Sequence, residues 1–263
     1  MLDPPLNFVP TFVLVVFRLA GMTLFAPLFG SARIPRRVRL ALVLVLAVGM
    51  TQGVKPPAAM PEPGWGLALG IGGEMAFGLA VGMVMSFVFI AVQWAGEIIG
   101  QQMGFNLGEV LDPQFGSQGS VVGDLYFMLT LVIFLLIGGH RAMIRGVRAS
   151  FDALPLLSLG VNQDLLKMLL DLLHAATILA VQLAAPVLVT MLVLDLVLGL
   201  IGRTIPQMNV MSAALSLRAL LGVVVIWLGL SLSGDVIGRA IEQSMEQVRI
   251  GWTGGAGPAP AQR

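Results

Sequence analysis

Residues 67–94 read LALGIGGEMAFGLAVGMVMSFVFIAVQW, and this stretch decides the fold. It exceeds the roughly 20 apolar residues that a membrane-spanning helix needs. Its only charge is Glu74. It runs directly into Trp94-Ala95-Gly96-Glu97-Ile98-Ile99-Gly100-Gln101-Gln102-Met103-Gly104-Phe105-Asn106-Leu107-Gly108. There glycines recur at 96, 100, 104 and 108, which places them along one face of a helix. Glycines so spaced let a second backbone approach closely. Gly78 and Gly82 offer the same contact earlier, where ordinary helix packing accounts for them equally well. Met103 stands beside the glycine run as an adaptable apolar filler.

Beyond the run the pattern changes. Residues 104–123 are polar and glycine-rich, too polar for lipid and too rich in glycine for a stable helix. This stretch reads as a loop at the end of a packed helix.

Outward from there, five further apolar segments follow the hydropathy: Phe8 to Phe29, Leu40 to Thr51, Val121 to Ile137, Leu172 to Ile201 and Leu215 to Leu232. Between them lie a basic stretch at residues 31–39, a Pro/Gly loop at 53–66 and a mixed-charge stretch at 138–171. Composition agrees. Hydrophobic residues make up 57% and charged residues 11%, with mean hydropathy +0.93. A soluble domain carries about 25% charged residues. Too few charges remain to cover a water-facing surface, so the expected class is all-α and membrane-bound. The net charge of +1 gives no field for nucleic acid. The absence of cysteine excludes disulfides and thiolate chemistry. The N-terminus lacks a basic region before its apolar stretch and reads as part of the mature protein. One helical domain is expected over residues 1–250, with a disordered tail at 251–263.

Orientation by charge conflicts with simple alternation. Arg33, Arg36, Arg37 and Arg39 argue that their loop is cytoplasmic. A six-span serpentine then puts Arg141, Arg145, Arg148 and Lys167 outside. Broken helices, or hairpins that do not cross fully, remove the conflict. Irregular backbone at membrane depth needs protein or a water-filled cavity around it.

Charges inside apolar stretches mark assembly contacts. Arg18, Glu74, Asp195 and Arg218 each cost about 2.5–3.5 kcal/mol when alone at the centre of a spanning helix. Pairing between helices is preferred to a proton relay, because the four are scattered and share no motif. Arg203 closes an apolar segment where a cation is favoured, and Pro206, followed by Gln207, stops it. This corner can serve as a contact for a partner. His140 and His174 belong to no cluster with metal-ligand spacing. No nucleophile elbow, phosphate loop or dinucleotide fingerprint occurs, so neither catalytic residues nor a cofactor or metal is expected. A small-solute or ion transporter with a midplane site on Glu74 and Asp195 is the alternative function.

Five stretches carry a resemblance: AGEIIGQQMG at 95–104, Asp112-Pro113, GGH at 138–140, Ala185-Pro186 and LGLIGRTIPQMN at 198–209. Together they resemble the FliR family of flagellar biosynthesis proteins and its injectisome counterpart in type III secretion. Asp195 stands where the family often has asparagine. The resemblance implies bent helical hairpins that stack with FliP-like and FliQ-like subunits into a cone, the export gate, at the flagellar basal body in the bacterial inner membrane. It implies FlhB-like and FlhA-like neighbours and unfolded exported proteins as the substrates that pass through. It further implies a plug loop, here Phe105, Asn106, Leu107, Gly108, Glu109, Asp112, Pro113, Phe115, Gly116 and Gly119. The helix before it is the glycine-faced one with Gly96, Glu97, Gly100, Met103 and Gly104.

Overall fold

The computed structural model describes residues 4–27, 29–30, 34–57, 64–105, 120–157, 163–204 and 210–251. Among them all regular structure is helical. The order is α1 (Pro4–Phe25), α2 (Arg36–Thr51), α3 (Trp65–Met103), α4 (Val121–Leu136), α5 (Gly139–Ala153), α6 (Gln163–Thr204) and α7 (Val210–Gly251). The tail from residue 252 lies outside the described residues, and Gly251, expected in that tail, instead ends α7.

Local chemistry sets the helix ends. Pro35, extended at φ −56° and ψ 139°, precedes the first turn of α2. Ser120 caps α4. Gly138 adopts φ +74° between α4 and α5, a conformation that glycine reaches without Cβ strain. Leu154, in extended backbone before Pro155, ends α5.

The polar punctuation is more helical than the hydropathy suggests. Residues 138–171 read as a separator, yet they contain α5 and the start of α6. The arginines at 36, 37 and 39 lie in the opening turns of α2 rather than in a loop. Apolarity alone hides these helices because α5 is amphipathic: Met143, Val147 and Phe151 are buried while Arg141, Arg145 and Arg148 are exposed.

The chain forms two compact units. The first combines Met1–Phe87, Gly138–Leu173 and Ile241–Arg263; the second combines Val88–Ile137 and His174–Ala240. Each gathers distant segments, which is why no boundary shows in the sequence. In the first unit α1 and α2 are in contact. Leu14, Leu19, Met22, Phe77, Val84 and Met85 fill its core. Gly21, Gly78 and Gly82 bring α1 and α3 together. A Cβ at Gly82 would lie 2.5 Å from the Met22 carbonyl oxygen, and Cβ atoms at Gly78 and Gly21 would overlap the carbonyls of Arg18 and Met75. In the second unit Phe89 meets the edges of Phe127 and Phe134, at 5.4 and 5.7 Å between ring centres.

Among the described residues three helices are apolar and long enough to cross a membrane, and two bent pairs raise this to five. The pairs are α4 with α5 and the two halves of α7, each bent by more than 40°. The six apolar segments of the sequence therefore do not become six straight spans. With 39 and 42 residues, α3 and α6 extend about 58 and 63 Å. The hydrocarbon core of a bilayer is only about 30 Å thick. Within their most apolar windows, 67% of α3 is buried by the chain itself against 22% of α6. The outward side chains of α6 include Val181, Val189, Leu192, Leu196 and Leu200, and those of α7 include Leu220, Trp227, Leu228 and Leu232.

Candidate functional site: the end of α3 and the buried charges

The last turns of α3 form the approach to the predicted plug. Gly104, at φ +80°, stops the helix. Its N–H donates to the Gln101 carbonyl at 3.1 Å, and the Phe105 N–H donates to the Gly100 carbonyl at 3.0 Å. These two bonds make a Schellman motif, which closes the helix on a left-handed glycine. The side chain of Met103, fully buried, lies against Gly222 of α7. A Cβ at Gly222 would come within 2.6 Å of the Met103 sulfur. Phe105 is 45% exposed. The remaining plug residues, Asn106 to Gly119, lie outside the described residues.

The chain resumes at Ser120. Its hydroxyl donates to the Gly96 carbonyl and accepts from the Gly123 N–H, both long bonds at 3.4 Å. A Cβ at Gly96 would sit 2.5 Å from the Gly123 Cα. Here α3 and α4 touch backbone to backbone at Gly96. Glu97 is half-buried and its Cγ borders Gly123; Gly100 is buried. The residues on either side of 106–119 are thus anchored on packed helices of the second unit.

The first unit holds a polar knot. Arg18 of α1 and Glu74 of α3 pair at 2.5 Å, both side chains at 0% exposure. The Arg18 guanidinium also donates to the carbonyls of Ser150 and Leu154 and to the Ser150 hydroxyl, at 3.2–3.3 Å. It lies 4.8 and 4.4 Å from the ring centres of Phe77 and Phe151, within cation–π range. The second Glu74 oxygen accepts the Leu157 N–H at 2.9 Å. Leu157 has φ +65°, uncommon for a residue with a Cβ, so the Glu74 bond helps to hold a strained turn. One ion pair therefore ties α1 and α3 to the C-terminal end of α5. The structure places these two expected assembly residues inside the chain's own core.

Asp195 of α6 and Arg218 of α7 pair at 2.5 Å with side chains 41% and 36% exposed. Arg203 is exposed in the last turn of α6, and Pro206 and Gln207 lie outside the described residues. Among the described residues, no group of three or more His, Asp or Glu is placed to hold a metal ion.

Sequence reasoning missed Phe77, Ser150, Phe151, Leu154 and Leu157 around Arg18, and Gly222 opposite Met103. A lone glycine in the apolar run of α7 is a weak hint of close approach. Nothing local marks the others.

The family model for bacterial export proteins, family 1, matches residues 9–244. The flagellar biosynthetic protein FliR of Bacillus subtilis is 28% identical over 243 residues, covering 91% of this chain and 93% of that protein. FliR of Escherichia coli K12 is 27% identical over 208 residues, 79% of each chain. The surface presentation of antigens protein SpaR of Shigella flexneri is 28% identical over 216 residues, 81% of this chain and 82% of that protein. The match runs from α1 through most of α7 and includes both the polar knot and the end of α3, and on that ground the chain belongs to the FliR/type III export family, the bacterial export proteins of family 1.

Proposed function

We propose that this chain is a structural, pore-forming subunit of a type III protein export gate in the bacterial inner membrane. FliP-like and FliQ-like subunits cover its outward apolar faces, and FlhB-like and FlhA-like proteins stand beside it. Unfolded flagellar proteins pass through the assembled cone. The observation that carries this reading is the 42-residue helix α6, whose exposed apolar side chains run from Leu170 to Ile201. That stretch is about 48 Å long, well beyond the roughly 30 Å of hydrocarbon. Lipid alone cannot cover such a face, whereas neighbouring subunits can. The similarity to FliR supports the flagellar setting.

Residues 106–119, with Phe105, act as the plug. In support, both ends of this segment are fixed: Gly104 and Met103 on one side, Ser120 on the other. A polar stretch held this way at the end of a packed helix can occupy a lumen without disturbing the wall. The role is structural, not catalytic. A solute site on Glu74 or Asp195 has less support, because arginines of the same chain engage both carboxylates.

Replacing residues 106–119 by a short Gly-Ser linker, with Ser120 retained, tests the plug. The altered chain should co-purify with its partners as wild type does, and the closed gate should pass ions in planar bilayers. A gate as tight as wild type would remove the plug assignment.

A further inference from the structure

Three of the four basic residues that break simple charge alternation lie on one exposed face of α5. Arg141, Arg145 and Arg148 follow i, i+4, i+7 spacing and span two turns, about 10 Å. Among the described residues none of them makes a hydrogen bond or an ion pair. The only acid on the helix, Asp152, is exposed one turn beyond Arg148, and among the described residues it forms no ion pair with an arginine. The opposite face is consumed by the core of the first unit, where Met143, Val147 and Phe151 are buried. As a result α5 exposes no large apolar side chain.

This combination selects the occupant. Arginine anchors protein interfaces where it sits in a desolvated pocket among aromatic and apolar neighbours, and α5 exposes no large apolar side chain beside these three. Interfacial helices that insert into acyl chains need a free apolar face, and here that face is taken. What remains is a row of planar guanidinium forks, which match phosphate oxygens in two-point hydrogen bonds. In the chain α5 directly follows the apolar α4. Basic segments next to apolar helices collect on the cytoplasmic side, where the leaflet is anionic. We infer that Arg141, Arg145 and Arg148 form a binding face for the headgroups of anionic phospholipid. The inference rests on the membrane class of the chain and not on the plug or the pore.

The test uses the full-length chain in neutral detergent, titrated with dioleoylphosphatidylglycerol or dioleoylphosphatidylcholine and followed by native mass spectrometry. Wild type should bind the anionic lipid in preference, with the preference falling as salt rises. The variant Arg141→Gln/Arg145→Gln/Arg148→Gln should lose anionic-lipid affinity on the order of 100-fold, each cation near an anionic surface being worth roughly a five-fold factor. Phosphatidylcholine binding should not change. The triple Arg→Lys variant, which keeps the charge, should retain most of the preference. Circular dichroism and size-exclusion profiles check that each variant is folded. Undiminished phosphatidylglycerol binding in the folded glutamine variant overturns the inference. So does unchanged lipid binding with lost co-purification of other export proteins, which would make the face a protein interface.

Discussion

Exchanging Glu74 for glutamine keeps the size of the side chain and removes its charge. In the native knot one carboxylate oxygen accepts from Arg18 Nε and the other accepts from the Leu157 N–H. Glutamine has a single carbonyl oxygen, so one of those donors must face an NH2 group. Arg18 stays fully buried without its counter-charge. Removing one partner of a buried pair costs about 3–5 kcal/mol. The carbonyls of Ser150 and Leu154 and the rings of Phe77 and Phe151 still stabilise the guanidinium. The low end is therefore expected, about 3 kcal/mol. Denaturant titration in mild detergent, with circular dichroism as the readout, measures it. The double variant Arg18→Met/Glu74→Met removes both charges and leaves only neutral groups of Ser150, Leu154 and Leu157 to find partners. It should cost less than the sum of Arg18→Met and Glu74→Met, with a coupling of at least about 2 kcal/mol. A coupling below about 0.5 kcal/mol, or a Glu74→Gln chain within 0.5 kcal/mol of wild type, would refute this reasoning.

Two smaller perturbations test the helix contacts. Gly78→Ala puts a methyl onto the Arg18 carbonyl, so α1 and α3 must separate, and the roughly 1 kcal/mol gained in helix propensity should be outweighed by about 1–3 kcal/mol of overpacking; thermal melting in detergent reads the balance. Arg218→Gln breaks a pair that is more than one-third exposed, so the melting point of the isolated chain should hardly move, with at most about 1 kcal/mol lost. A large loss there would mean that the pair is shielded in a way its exposure does not suggest.

How much of this was legible beforehand depends on range. The start of α4 near Val121 was readable from its apolar run, whereas the closure of α3 at Gly104 was not, because helical spacing carried the glycine face on to Gly108. The glycine face of α3 was readable as a face, since helical spacing alone aligns Gly96, Gly100 and Gly104. That Gly96 meets Gly123 was not, because a periodicity names a surface without naming what lies on it. The helix α5 was hidden by its own amphipathicity, which resembles a polar linker when hydropathy is averaged.

By itself the sequence determined that the chain is helical and membrane-bound, since scarcity of charge and apolar run length are properties of composition and local order. It also marked Arg18, Glu74, Asp195 and Arg218 as residues in need of partners, because an isolated charge in an apolar run is too costly to leave alone. Only the tertiary structure decided who those partners are. Arg18 reaches Glu74 across 56 positions and Leu154 across 136, and Asp195 reaches Arg218 across 23. No local spacing encodes such distances. Which charges meet is settled by which helices pack, and that follows from the fit of whole faces, glycine against carbonyl and arginine between rings.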